Sequence, residues 1–222
     1  MPDPIRLSLP NGRIELSWPP TLEDDPDVHK IYTDTRVLQY LPFWDPNASL
    51  ESVIQRRTTR LTEPNQFRDF RIHHLPPHTP ESTGLPNLLG TVGFIFMSLE
   101  NQATEAGIII HPEAHRAGYA SEALYLCLKH GFDSKENGGL GFNRIMFTTA
   151  AMNKAMRGWL EKALGAKHEG TLREAWKSGD EFIDAVQYSI LAREWFDGGS
   201  EQRLRQKVEE AVTKASSKAS AS

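Results

Sequence analysis

The apolar run Ile108-Ile109-Ile110 passes through His111-Pro112-Glu113-Ala114-His115-Arg116-Ala117-Gly118 into Tyr119-Ala120-Ser121-Glu122-Ala123-Leu124. This passage constrains the fold more than any other part of the chain. Three isoleucines suit a buried strand, Pro112 and Gly118 mark a turn, and the residues beyond Gly118 have helical spacing. A strand that feeds a helix through so short a turn is a unit of an α/β sheet. The first amides of that helix lack backbone acceptors and lie at the positive end of its dipole. Such an end binds phosphate without a large basic patch, and Gly118 and Ala120 keep its surface bare enough for a pyrophosphate to approach. The turn alone does not separate this from an ordinary strand–turn–helix contact. It is neither a Walker loop, since Gly-x-x-x-x-Gly-Lys-Ser/Thr is absent, nor a dinucleotide fingerprint, since it carries one glycine.

The flanking sequence supplies the rest of a sheet. Residues 5–9 and 14–18 alternate apolar and polar around Asn11-Gly12, which predicts a hairpin. Thr21-Leu22-Glu23-Asp24 opens a helix that carries Val28, Ile31, Tyr32 and Thr35 on one face. Residues 50–62 form a second helix with Arg56, Arg57 and Arg60. Strands are expected at 67–73, 90–98, 105–110 and 143–149, helices at 118–132 and 153–164, and at least part of 181–193 as strand. The prolines of segment 74–86 exclude a central strand there and make it an insertion loop. Residues 200–214 suit a short surface helix, and the Ser/Ala/Lys-rich 215–222 suits a disordered tail. The expected organisation is one domain over 1–196 followed by a C-terminal helix and tail over 197–222.

Charge and cysteine content limit the function classes. The net charge of −4 comes with no basic stripe, so the chain is not built to grip nucleic acid. Its single cysteine, Cys127, lies in an apolar run and reads as a buried hydrophobe; no internal disulfide can form. The N-terminus has no basic segment followed by an apolar run, and no window reaches the about 18 apolar residues of a membrane span. A cytoplasmic protein without membrane contact is expected. His111 and His115, and His73, His74 and His78, are the histidine groupings. Neither set occupies one helix face or has cysteine support, so no metal is expected.

The segment His115 to Ala120, followed by Ser-Glu-Ala-Leu, resembles motif A of the GNAT (GCN5-related N-acetyltransferase) superfamily, Gln/Arg-x-x-Gly-x-Gly/Ala, with His115 in place of Gln or Arg. Asn153 to Ala166 is similar to motif B, Asn-x-x-Ser-x-x-x-Leu-Glu-Lys-Leu-Gly-Phe. Here Met156 stands for Ser, one extra residue precedes Gly165, and Ala166 replaces Phe. Residues 172–195, with Asp184, Tyr188-Ser189-Ile190-Leu191 and Trp195, resemble the last hairpin of the ribosomal-protein N-acetyltransferase-like (RimJ/RimL-type) branch.

The resemblance implies an α/β (α+β) GNAT fold, a mixed sheet of about seven strands splayed at the acyl-CoA site and flanked by helices. It implies acetyl-CoA as cosubstrate, a primary amine (a small molecule or a peptide N-terminus) as acceptor, and a monomer or homodimer. Cofactor-binding roles fall on Ile108, Ile110, His115, Arg116, Ala117, Gly118, Tyr119, Ala120, Ser121 and Asn153; Asn153 equally suits a helix cap. The amine attacks the thioester directly in a ternary complex. Glu105, at the start of the pantetheine-binding strand, is the first choice of general base, ahead of Glu174 and Asp184, and the Ile110 amide polarises the carbonyl. Many relatives place a tyrosine on the motif B helix as general acid. Trp159-Leu160-Glu161 stands there instead, which leaves the acid unassigned or its part to water. A non-catalytic CoA-binding protein is the alternative. The 38–44 segment, the arginine-bearing helix and the 74–86 loop are expected to select the acceptor.

Overall fold

A computed structural model describes residues 3–219. β1 (Ile5–Ser8) and β2 (Ile14–Trp18) form the expected hairpin, and the Gly12 amide closes its turn on the Leu9 carbonyl at 3.0 Å. Helices α1 (Asp25–Thr33), α2 (Thr35–Leu38) and α3 (Leu50–Thr62) follow. Then come β3 (Arg68–His74), the single turn α4 (Pro80–Thr83) inside the 74–86 loop, β4 (Leu88–Ser98) and β5 (Ala103–Ile110). Helix α5 (Tyr119–Phe132) leads to β6 (Arg144–Ala150), and α6 (Lys154–Trp159) runs into a π-helical turn at Leu160–Leu164. The chain ends with β7 (Lys167–Ser178), β8 (Glu181–Leu191), α7 (Ala192–Phe196) and α8 (Ser200–Ala219).

Among the described residues the strands join into one mixed sheet of order β1-β2-β3-β4-β5-β6-β8-β7, in which β5–β6 is the parallel pair. Its larger core lies between one sheet face and α5, with Phe70, Phe94, Ile145, Phe147 and Ile190 fully buried there. A smaller cluster of Val28, Ile31, Tyr32, Val37, Val53 and Leu88 seats α1–α3 on the other face.

Four expectations change. The helix predicted to reach Thr35 breaks at Asp34, whose carboxylate accepts the Arg36 amide at 2.8 Å and caps α2 instead. The sheet has eight strands, because β7 pairs with β8 at the edge; β7 is mostly exposed and interrupted between Leu172 and Trp176, so it lacks the period-2 signal. The C-terminal helix is longer than a short surface helix and buries Leu204, Val208 and Val212 against the main core. Residues 215–219 continue that helix, and the remainder of the tail expected to be disordered lies outside the described residues. The motif B segment has one residue more than its pattern, and the π-helical turn at Leu160–Leu164 absorbs it, since i→i+5 bonding accommodates an inserted residue within an α-helix.

Candidate active site

Strands β5 and β6 pair only over Ala103–Glu105 and Arg144–Met146. Beyond Glu105 they diverge, while β5 stays paired with β4 as far as Ile110. The His111 amide donates to the Leu89 carbonyl on the β4 side at 2.8 Å. Successive strand amides point to opposite edges, so those of Ile110, Ile108 and Ala106 face the opening. A linear chain of amides and methylenes entering the gap can therefore bond with β5 as a strand would. A bulge lies in β4, where Phe96 takes φ 53° across from Thr104.

The gap belongs to a cleft of about 790 Å³. Its far end is the turn before α5. Arg116 and Gly118 there have φ of 62° and 87°, and α5 begins with no side-chain cap on its first amides. Ala120 and Ser121 line the cleft. Beneath the turn lies a buried ion pair. The Glu122 carboxylate accepts the Arg13 amide at 2.7 Å and Arg13 Nε at 3.0 Å, and Arg13 Nη1 donates to the Ala117 carbonyl at 2.8 Å. The Arg13 guanidinium also lies 4.5 Å from the centre of the Tyr119 ring. The pair thus anchors the start of α5 to the start of β2. A Cβ on Gly118 would lie 3.1 Å from Arg13 Nη2 and 3.2 Å from Ala211 Cβ, so that position excludes side chains from behind as well as through its φ.

Glu105 sits where β5 and β6 part. Burial raises its pKa above the ordinary 4.5, and hydrogen bonds with Thr148 offset part of that rise. Glu105, Gly107 and Ile109 share one sheet face with Ile95, Gly93 and Thr91 of β4 and with Asp69 of β3, as the register and alternation require. A Cβ at Gly107 would meet nothing within 4 Å, so glycine there leaves the cleft floor open. Above this floor lie Tyr32, Phe43, Trp44 and Arg56, and Trp176 reaches in from β7 with its ring 5.0 Å from that of Phe43. The irregularity between Leu172 and Trp176 redirects β7 at this point.

Of the residues expected at the site, Glu105, Ile108, Ile110, His115, Arg116, Gly118, Ala120, Ser121 and Asn153 line this one cleft. Ala117 and Tyr119 do not; they form its support, Ala117 through its carbonyl and Tyr119 as a buried ring beside Arg13 and His74. His115 Nε2 is engaged by the Ile110 carbonyl at 3.1 Å. Asn153 caps α6 through the Met156 amide at 3.2 Å and also donates to Thr149 at 3.1 Å. Glu174 and Asp184 are outside the cleft, and Asp184 accepts the Glu174 amide at 2.8 Å, which braces the β7–β8 hairpin. The 74–86 loop does not reach the cleft either. Sequence reasoning did not single out Trp159, whose indole N–H donates to Ser121 at 2.9 Å between α6 and α5, nor Arg13 and Glu122. An acidic residue inside the apolar Ala123–Leu128 neighbourhood was the available signal for the last pair, since a buried carboxylate requires a partner. Among the described residues no cluster of three or more His, Cys, Asp or Glu has metal-holding geometry, and no helix is long and apolar enough to cross a membrane.

Comparison with known proteins agrees with this geometry. The family described as acetyltransferase (GNAT) domain matches residues 13–166. The uncharacterized N-acetyltransferase p20 of Bacillus licheniformis is 28% identical over 177 residues, 78% of this chain and 90% of that protein. The uncharacterized N-acetyltransferase YoaA of Bacillus subtilis is 33% identical over 104 residues, 47% of this chain, and the match spans only 55% of YoaA. Among solved structures, Mycobacterium smegmatis RimJ in complex with CoA-disulfide superposes with a TM-score of 0.71 at 17% identity, covering 92% of this chain and 93% of that one. Spermidine N-acetyltransferase from Vibrio cholerae, in complex with CoA and spermine, has a TM-score of 0.68 at 22% identity, covering 82% and 98%.

Proposed function

The chain belongs to the GNAT acetyltransferase domain family, and on that footing we propose that it transfers an acetyl group from acetyl-CoA to a primary amine. The observation that carries the reading is the end of β5–β6 pairing at Glu105, with splay-facing amides on β5 and the uncapped start of α5 at the other end of one cleft. The pyrophosphate of CoA fits the amides at the start of α5, and the pantetheine arm fits the gap along Ile110, Ile108 and Ala106. The thioester then comes to the Glu105 end. Asn153 and Ser121 border the same path. CoA supplies the activated acyl group; the remaining work falls to this chain's own residues.

At neutral pH the amine arrives as ammonium. Glu105 accepts one of its protons, directly or through water, and its raised pKa brings the carboxylate nearer the operating pH. The free amine attacks the thioester carbon, an opening-facing β5 amide at the Glu105 end (Ala106 is the nearest; Ile110, expected for this part, lies five residues away at the pyrophosphate end) stabilises the developing oxyanion, the C–S bond breaks, and water protonates the departing thiolate. No enzyme nucleophile takes part. Cys127 is fully buried with its pKa pushed far up by desolvation. A screen of amine acceptors with acetyl-CoA, read by release of free CoA thiol, tests the reading. Acceptor-dependent thiol release supports it, and a purified protein that binds acetyl-CoA but releases none with any amine reduces it to CoA binding.

A further inference from the structure

Three arginines of α2 and α3 line the cleft. Arg36 is held by Asp34 at 2.8 Å and by Glu113 at 2.7 Å. Arg60 bonds both oxygens of Asp69, at 2.6 and 2.5 Å. Arg56, one turn before Arg60 on α3, has no carboxylate within ion-pair reach among the described residues. Its guanidinium lies 4.9 Å from the centre of the Trp44 ring, on the wall that Tyr32 and Trp44 build edge to face. The residue remains open to solvent, so a ligand can reach it. Enough protein surrounds the head group for desolvation to lower its pKa below the ordinary arginine value, with repulsion from Arg60 adding to the effect and attraction to Tyr32 and Asp69, together with a hydrogen bond to Tyr32, opposing it. Arginine still stays charged. The acidic groups nearby are Asp69, occupied by Arg60, and Glu105, at the opening of β5 from β6.

From this arrangement we infer that the acceptor is an amine bearing an anionic group, with the amine at Glu105 and the anion on Arg56 against the Trp44 face. The inference rests on the acyl-transfer reading above. A polyamine presents a second cation where this cleft already holds an unpaired one, and like charges in a partly desolvated site repel. A carboxylate or similar anion gives Arg56 a charge-assisted hydrogen bond and relieves its desolvation. Spacing refines the choice. Asp69 lies two strands across and two residues along from Glu105, on the order of 12 Å between Cα atoms. Arg56 hangs over the Asp69 side, near Arg60. An anion directly beside the amine falls short of it, whereas one several bonds away reaches both groups.

The test uses the full chain, acetyl-CoA and matched acceptors: glycine, 4-aminobutyrate and 6-aminohexanoate, the methyl ester of each, spermidine, and a short peptide with an acidic second residue beside its neutral amide counterpart. Longer amino carboxylates should exceed their esters in kcat/KM by about ten- to a hundredfold, as a hydrogen bond to a charged group allows, and spermidine should be poor. In Arg56→Gln the preference for acid over ester should collapse toward unity through KM, and Arg56→Lys should restore part of it. The free acids and the peptide pair distinguish a small-molecule amine from a chain terminus as the source of the same chemistry. Equal use of acids and esters, preference for spermidine, or loss of acid and ester turnover alike in Arg56→Gln would each overturn the inference. Acetyl-CoA binding without turnover of any anionic acceptor overturns it while leaving the donor site standing; absence of both binding and turnover overturns the two readings together.

Discussion

Two residues of the cleft lead to separable outcomes. Glu105→Gln keeps shape and removes the proton acceptor, so kcat/KM at neutral pH should fall about 10²–10⁴-fold with acetyl-CoA affinity nearly intact. Part of the loss should return at high pH, where the amine deprotonates in bulk water. Glu174→Gln and Asp184→Asn, which lie outside the cleft, serve as controls; if one of them collapses while Glu105→Gln stays fully active, the base is elsewhere. Stability supplies a second reading of the same variant. A carboxyl whose folded pKa is raised holds its proton more tightly folded than unfolded. Its ionised form therefore costs stability above the folded pKa, and the cost vanishes as pH falls below the unfolded value near 4.5. Glu105→Gln should thus melt higher than the parent at neutral pH and level with it at acid pH; a lower melting point at pH 7 would contradict the desolvation account. At the other end, Ser121 is the third residue of α5, where a glutamate suits the helix dipole. Ser121→Glu should leave the unliganded fold standing but weaken acetyl-CoA binding severely by calorimetry, because its carboxylate competes for the same amides. Gly118 is a poorer probe, since any side chain there first meets Arg13 and Ala211. At this scale the sequence led to residues placed along the cleft by the course of the backbone, such as Ile108, Ile110 and Gly118. It was blind to Arg13 and Glu122, whose roles depend on partners distant along the chain, and it reached Arg56 only as one of three arginines on a helix expected to select the acceptor.

Elements explain why the cleft keeps its shape. The start of α5 is tied to β2 by Arg13 and Glu122, with both side chains essentially removed from water. Breaking one partner of a buried pair leaves the other uncompensated, a cost of about 3–5 kcal/mol. Glu122→Gln keeps the volume and some hydrogen bonding, so the loss should approach the low end of that range. The expected result is a clearly lower melting temperature together with weaker acetyl-CoA binding, because the Ala117 carbonyl loses its firmly held donor. A variant that melts normally and binds normally would show that the pair does not hold the turn. Elements with a strong period were legible in sequence: β2, β4, β5 and α5 lie within a residue or two of their expected bounds. Two elements were not. β7 is an exposed edge strand with its pairing interrupted after Leu172, so no alternation marks it. The π turn after α6 shows in sequence only as one residue too many before Gly165.

At the scale of the molecule, the sheet opens at one place while the larger core, with residues from β4 and β5 and from β6 and β8, holds the two sides together. α8 contributes to that hold, because Leu204, Val208 and Val212 pack into the main cluster beside α5. Fully burying three such side chains is worth about 5–9 kcal/mol before the entropy of ordering the helix is subtracted, a large part of the about 5–15 kcal/mol that holds a typical domain. A chain ending at Phe196 should therefore melt far lower or fail to stay folded. If it melted like the full chain and still acetylated an acceptor, α8 would be the separable appendage that its polar composition suggests. That composition is why sequence reading placed it at the surface: one apolar residue per turn is a thin stripe, and only the partner face on α5 shows that it suffices. The central claim is that the opening between β5 and β6, continued to the start of α5, is an acyl-CoA site. It is tested most directly by thermal unfolding of the full chain with increasing acetyl-CoA. A ligand of the folded state stabilises by about 2.7 kcal/mol at a hundredfold excess over its Kd, which for a chain of this length is a rise of about 5–10 °C, growing with concentration. A melting temperature that stays fixed at saturating acetyl-CoA would contradict the account.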